Sequence, residues 1–128
     1  MFVTRKEKVA TPLINETGEE VYELVGSNPE HGCATNHSLA YVVIPPGGSS
    51  SHHFHNHSEE TYFILKGQGR IIINNQERIV TPGDTIFISL KAGHQIFTEG
   101  DAVLEFVVVS APPWSLEDNI PVNTSHSE

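Results

Sequence analysis

The chain has 128 residues, 38% of them hydrophobic, and carries 16 acidic against 7 basic side chains for a formal charge of −9. That length is about one domain, and the hydrophobic share suits a packed core rather than a disordered chain. The acidic balance excludes a surface that tracks nucleic-acid phosphates and disfavours docking on anionic membranes, because both need clustered cations. Only Arg5, Lys6 and Lys8 are grouped. Cys33 is the sole cysteine, so no intrachain disulfide can form. The opening "MFVTRKEKVATPL" has no apolar targeting core, and no run approaches the ~18 residues that span a bilayer. A cytoplasmic location is expected.

Taken in chain order, helix signals are scarce and strand signals are short and frequent. Glu20–Gly26 ("EVYELVG") alternates and ends in glycine. Ser38–Ile44 ("SLAYVVI") is apolar on both faces and stops at "PPGG". Glu60–Gly67 follows a histidine-rich stretch. Gly69–Asn75 and Gln76–Val80 flank an Asn-Asn pair, a hairpin turn by composition because Asn tolerates positive φ. After the turn "TPGD" come "TIFISL", "HQIFTEGD" and "AVLEFVVVSA". Eight or nine short strands with close turn signals predict an all-β antiparallel sandwich or barrel. One domain over 1–128 is expected, with its barrel core at about 20–112, a flexible N-terminal segment and a loose polar tail after "APPW".

The histidine-rich stretch "GGSSSHHFHNHSEETYFILKG" places four of the eight histidines within six positions. On a strand, side chains alternate faces, so His53, His55 and His57 would share one side and His52 the other. Two imidazoles at i and i+2 can bind one ion if a carboxylate arrives from the next segment, and Glu59 and Glu60 open that segment. Taken alone, a His-x-His pair is more often a solvated turn than a metal site. Both His53-x-His55 with Glu60 and His55-x-His57 with Glu59 satisfy the pattern. His94 starts a later strand, and closing the sheet could bring it opposite the pair.

These residues resemble the cupin family. Its first motif, G-x5-H-x-H-x3,4-E-x6-G, is matched at every position by Gly47, His53, His55, Glu60 and Gly67. Only this choice of histidines keeps both glycines in place, leaving His57 and Glu59 as rim residues. The second motif, G-x5-P-x-G-x2-H-x3-N, is half matched: Gly83 and His94 are present, while Ser89, Lys91 and Thr98 replace the proline, the second glycine and the asparagine. The resemblance runs from about Tyr22 to Pro113 and is similar in tone to small bacterial cupins called sugar-phosphate isomerase-like. It implies a double-stranded β-helix, or jelly roll, an ion held inside by His53, His55, Glu60 and His94, and a homodimer.

Three neutral imidazoles and one carboxylate would leave a divalent ion with one net positive charge and open positions for a ligand. That set suits Mn, Fe, Co, Ni, Cu or Zn rather than calcium or magnesium. The expected function is an enzyme acting on a small oxygen-bearing molecule chelated to the ion, by dioxygenase or isomerase/lyase chemistry. The alternative is a barrel that binds a small molecule or sugar without turnover. Tyr41, Tyr62 and Arg70 are polar residues on apolar strands and are the candidate catalytic pocket residues, though such residues are commonly half-buried strand positions. Trp114 reads as a packing anchor that closes the barrel end or sits at a dimer contact, and Cys33 as incidental.

Overall fold

Runs of β-branched and aromatic residues cut by Gly, Pro, Asn and Asp build strands rather than helices, and the computed structural model follows that pattern. It describes residues 1–122. Eleven strands run in chain order: β1 (Leu13–Ile14), β2 (Glu20–Val25), β3 (Ser38–Ile44), β4 (His53–Phe54), β5 (Glu59–Lys66), β6 (Gln68–Ile73), β7 (Gln76–Val80), β8 (Thr85–Ile88), β9 (His94–Glu99), β10 (Leu104–Ala111) and β11 (Ile120–Pro121). The helical content of these residues is two single 3-10 turns, Lys6–Lys8 and Pro29–His31. No helix among them is long and apolar enough to cross a membrane.

The strands form two antiparallel sheets, one ordered β1-β2-β3-β10-β5-β8 and the other β11-β4-β9-β6-β7. This is the expected jelly roll. Long-range pairing dominates, as when β10 lies between β3 and β5. The Asn-Asn hairpin forms between β6 and β7, with Asn74 at φ 55°. Gly67 makes the tight link from β5 to β6. Its φ is 78°, and an added Cβ would stand 2.2 Å from the Val103 carbonyl oxygen, so the glycine that closes the first motif is a backbone requirement.

The inward faces are graded in size. Along β3 the residues facing the core are Ser38, Ala40, Val42 and Ile44, and opposite them on β10 stand Ser110, Val108, Phe106 and Leu104. β5 adds Glu60, Tyr62 and Ile64 in the same order. Ile44, Ile64, Ile96 and Leu104 are 0% exposed and fill one end of the sandwich. The small and polar residues at the other end leave a hollow between the sheets.

The ends of the described chain pack more than their composition predicts. β1 pairs with β2, and the Lys6 ammonium sits 5.0 Å from the centre of the Tyr22 ring. After Pro113 the polar segment folds back: β11 pairs with β4, and Asp118 is buried. The expected looseness of the last residues, 123–128, lies outside the described residues.

Candidate metal centre

His53 lies on β4 directly opposite His94, the first residue of β9, so one sheet presents two imidazoles side by side. His55 follows His53 by two positions, and Glu60 comes from β5 in the facing sheet. All four side chains are buried, and one ligand atom from each lies within 4.8 Å of the others. Donors on opposite sides of an ion bonded at about 2.1 Å stand about 4.2 Å apart, so the cluster is within a small inward shift of a shared ion. The residues of the alternative pairing, His57 and Glu59, are exposed.

The backbone fixes which nitrogen of each ring faces inward. His53 Nδ1 contacts the Ser51 carbonyl at 2.9 Å, His55 Nδ1 the Asp118 carbonyl at 3.0 Å and His94 Nδ1 the Ala92 carbonyl at 2.9 Å. A carbonyl can only accept, so each Nδ1 carries the proton and each Nε2 keeps its lone pair. Glu60 Oε2 accepts from the Ser110 hydroxyl at 2.8 Å. Glu60 Oε1, His55 Nε2 and His94 Nε2 are buried with no hydrogen-bond partner among the described residues. Buried polar atoms left unpaired are costly, and three that face one another are matched at once by a cation.

The charges of His53 and Glu60 agree with this geometry, while His55 is drawn toward the Glu60 carboxylate. Burial, followed by the neighbouring His94, lowers the His53 pKa to about 4, so its ring is neutral. Burial alone would raise Glu60, but the facing His55 and His94 hold it well below the usual carboxylate range. Burial opposes charge on His55, yet Glu60 outweighs it and raises that pKa.

A cavity of about 290 Å³ opens beside the cluster, lined by His53 and Glu60 and walled by Val21, Ala40, Val42, Phe106 and Val108. Of the three candidate pocket residues, only Tyr62 reaches it. Its ring stacks on Phe106 at 4.8 Å, and burial raises its pKa well above 10, so it stays a neutral phenol. Tyr41 and Arg70 lie on the outer faces. Tyr41 bonds Glu105 through its hydroxyl and packs near Lys6. Arg70 covers the Phe97 ring at 4.4 Å between Glu77 and Glu99. Strand parity is the reason: the even positions of β3 and the odd positions of β6 point inward. Trp114 is half-buried in the cavity wall, its main-chain N–H donating to Ser38 Oγ at 2.9 Å. Cys33 is exposed and free.

The family profile for the cupin domain matches residues 40–110, more than half of the chain. This chain belongs to the cupin family. A curated relative, the uncharacterized protein MJ1618 of Methanocaldococcus jannaschii, is 37% identical over 107 residues, 84% of each chain. Among solved structures, the oxalate decarboxylase of Lactobacillus farciminis in its formate complex superposes with a TM-score of 0.77 and 28% identity, over 90% of this chain. The chain spans only 34% of that longer protein. The polyketide cyclase RemF of Streptomyces resistomycificus shares the fold, with a TM-score of 0.75 and 24% identity over 98% of this chain and 88% of its own.

Where this cupin departs from the second motif, the local structure is kept by other means. Lys91, in the place of the second glycine, still takes the left-handed φ of 66°, and its N–H donates to the His55 carbonyl at 2.7 Å. Thr98, in the place of the asparagine, is buried and donates to the Ile44 carbonyl at 2.9 Å. Sequence reasoning missed Asp118. Its carboxylate accepts from the N–H groups of Asn56, His57 and Ser58 at 2.9, 3.0 and 3.1 Å, and its carbonyl holds His55 Nδ1. The returning C-terminal segment of this cupin therefore clamps the loop that carries the second imidazole.

Proposed function

We propose that this cupin is a metal-dependent enzyme in which His53, His55, Glu60 and His94 hold a divalent transition ion and a small oxygen-bearing molecule occupies the adjoining cavity. The observation that supports it is the set of inward Nε2 lone pairs facing the unpaired Glu60 Oε1, with His53 and Glu60 themselves at the cavity wall. The donor chemistry fits Mn, Fe, Co, Ni, Cu or Zn. When bound, such an ion supplies Lewis acidity and a point of chelation. The chain's own residues do the rest: Ser110 orients Glu60, the three backbone carbonyls orient the imidazoles, and Val21, Ala40, Val42, Phe106 and Val108 supply the apolar part of the cavity wall. Dioxygen insertion into an enol or diol, or isomerase/lyase chemistry next to a carbonyl, suits a site of this kind.

Elemental analysis of the purified chain tests the reading. Wild type is expected to carry about one ion per chain and His53→Ala close to none, since three remaining donors bind far more weakly. Equal metal in both, or none in wild type, defeats it. A metal-loaded protein that binds a small molecule tightly but consumes no oxygen and exchanges no substrate proton is a binding module instead.

We also propose that two copies pair through the outer face of β5, β8 and β10. Phe63, Phe87 and Val109 are 42%, 58% and 41% exposed there, and β8 is the edge of its sheet. Clustered exposed aromatics beside an open edge are the kind of surface a second copy covers. Light scattering is expected to give twice the chain mass for wild type and the chain mass for Phe87→Lys.

A further inference from the structure

The cavity beside the ligand cluster is lined by two more carboxyls that ligation does not use, Glu19 and Glu23. Glu19 precedes β2 and is 8% exposed, lining the same cavity as His53 and Glu60. Its inward direction follows from strand parity, since Val21 and Glu23 on β2 line the cavity with it. A tight turn fixes its position: the Asn15 N–H donates to the Glu19 carbonyl at 2.9 Å, and the Gly18 N–H to the Asn15 carbonyl at 3.0 Å. The Asn15 amide donates to Glu19 Oε1 at 2.6 Å, engaging one oxygen only. No Lys or Arg lines the cavity among the described residues. Its one other imidazole, His31, is 2.6 Å from Glu23.

A buried carboxyl held for structure is ordinarily matched by a cation or by donors on both oxygens. Glu19 has neither, and it stands in a hollow rather than in the packed core. Burial pushes its pKa up to about 7; the Asn15 bond opposes this and the charge of Glu60 adds to it. A carboxyl in that range gives and takes protons with equal ease at neutral pH.

We propose that Glu19 is a catalytic residue that moves a proton to and from an uncharged small molecule held at the His53–His55–Glu60–His94 cluster. This rests on the metal reading given above. The substrate class follows from the walls. Beyond the ion itself, a phosphate or a second carboxylate would face Glu19 and Glu23 with no lysine or arginine to match it, whereas a neutral hydroxyketone meets apolar side chains and a proton acceptor. In the step, the C–H bond beside the carbonyl breaks and its proton passes to the Glu19 carboxylate. The electron pair forms a C=C bond, and the carbonyl oxygen takes the negative charge. Return of a proton to the same carbon restores the ketone, and in heavy water that carbon then carries deuterium.

Glu19→Gln keeps an oxygen for Asn15 and removes the titration. With dihydroxyacetone in heavy water, proton NMR is expected to show C–H exchange by the metal-loaded wild type, at least 100-fold slower by Glu19→Gln at equal metal content. Dihydroxyacetone phosphate, which has the same ketol group, is expected to exchange more slowly than the neutral ketone. Equal exchange by wild type and variant, no exchange by wild type, or faster exchange of the phosphate ester overturns the proposal while leaving the metal reading intact; a metal-free wild type overturns both.

A readout independent of turnover comes from stability. Folded Glu19 keeps a proton that the unfolded chain begins to release near pH 4.5, so wild type loses stability as pH rises from there to about 7, after which both states are ionised and the loss is constant. With both proteins stripped of metal by a chelator, the melting temperature of Glu19→Gln minus that of wild type is expected to widen by several degrees over that window and then level off. A difference that stays flat from pH 4 to 8 overturns the proposal.

Discussion

The two ends of the sandwich are built from the same strands and differ only in the size and polarity of what those strands turn inward. At the closed end Ile44, Ile64 and Leu104 meet with no exposure at all. At the open end the same three strands offer Ser38, Glu60 and Ser110. Along β3 the step from Ser38 through Ala40 and Val42 to Ile44 adds volume in one direction, so the cavity is written into the strand as a gradient. The closed end carries stability, and the open end gives up packing for a hollow with donors around it. Buried polar groups there are tolerated because each has a defined partner, apart from the few that face the cluster.

That division can be broken by mutation. Leu104→Ala, at the closed end, removes volume that well-packed neighbours cannot refill, and it is expected to cost about 2–5 kcal/mol in chemical denaturation. Metal content per folded molecule should not change. A variant that kept its stability, or lost its metal while folded, would mean that the two ends are not separate. Asp118→Ala, at the open end, has a smaller effect on stability and a larger one on the site. Three main-chain N–H groups of the His55 loop lose their acceptor. Leaving such donors unmatched costs about 1–3 kcal/mol in all if water reaches some of them. The loosened imidazole should weaken metal affinity by about 10–100-fold, the range for groups that orient a ligand. Competition with a chromogenic chelator measures this directly.

How much of this was legible in the sequence depends on whether the signal was local. His53, His55 and Glu60 lie within eight positions, and Gly47 and Gly67 fix their spacing, so a short motif carries three of the four cluster residues. His94 is remote and reaches them only because β4 and β9 pair; the family resemblance supplied that closure. Parity was not legible where both faces of a strand are apolar. In β3, Val42 and Val43 look alike, so nothing local shows that Tyr41 faces out toward Lys6 and Glu105. Arg70 on β6 failed for the same reason. Glu19 and Glu20 are adjacent in a chain of 16 acidic residues, and only the closed sheet distinguishes the one that faces in. Asp118 did leave a trace. The turn from Ser115 to Asp118, where the Asp118 N–H meets the Ser115 carbonyl at 3.2 Å, has the Ser-x-x-Asp composition of an ordered turn, inside a segment whose polarity read as a loose tail.

The smallest expected effect is the most direct test of how the open end is held. Lys91 occupies a backbone conformation that glycine adopts freely and that costs other residues about 1–2 kcal/mol. It does so because its N–H ties the loop before His94 to the His55 carbonyl, joining two of the cluster residues through the main chain. Lys91→Gly relieves the steric cost but gives the unfolded chain more freedom, so the net gain should be about 1 kcal/mol or less. A rise in the denaturation midpoint with no change in metal affinity is the expected outcome. A fall would show that the lysine side chain contributes something the backbone geometry does not require. Unchanged stability with weaker metal binding would mean that the strained backbone itself sets the position of His55.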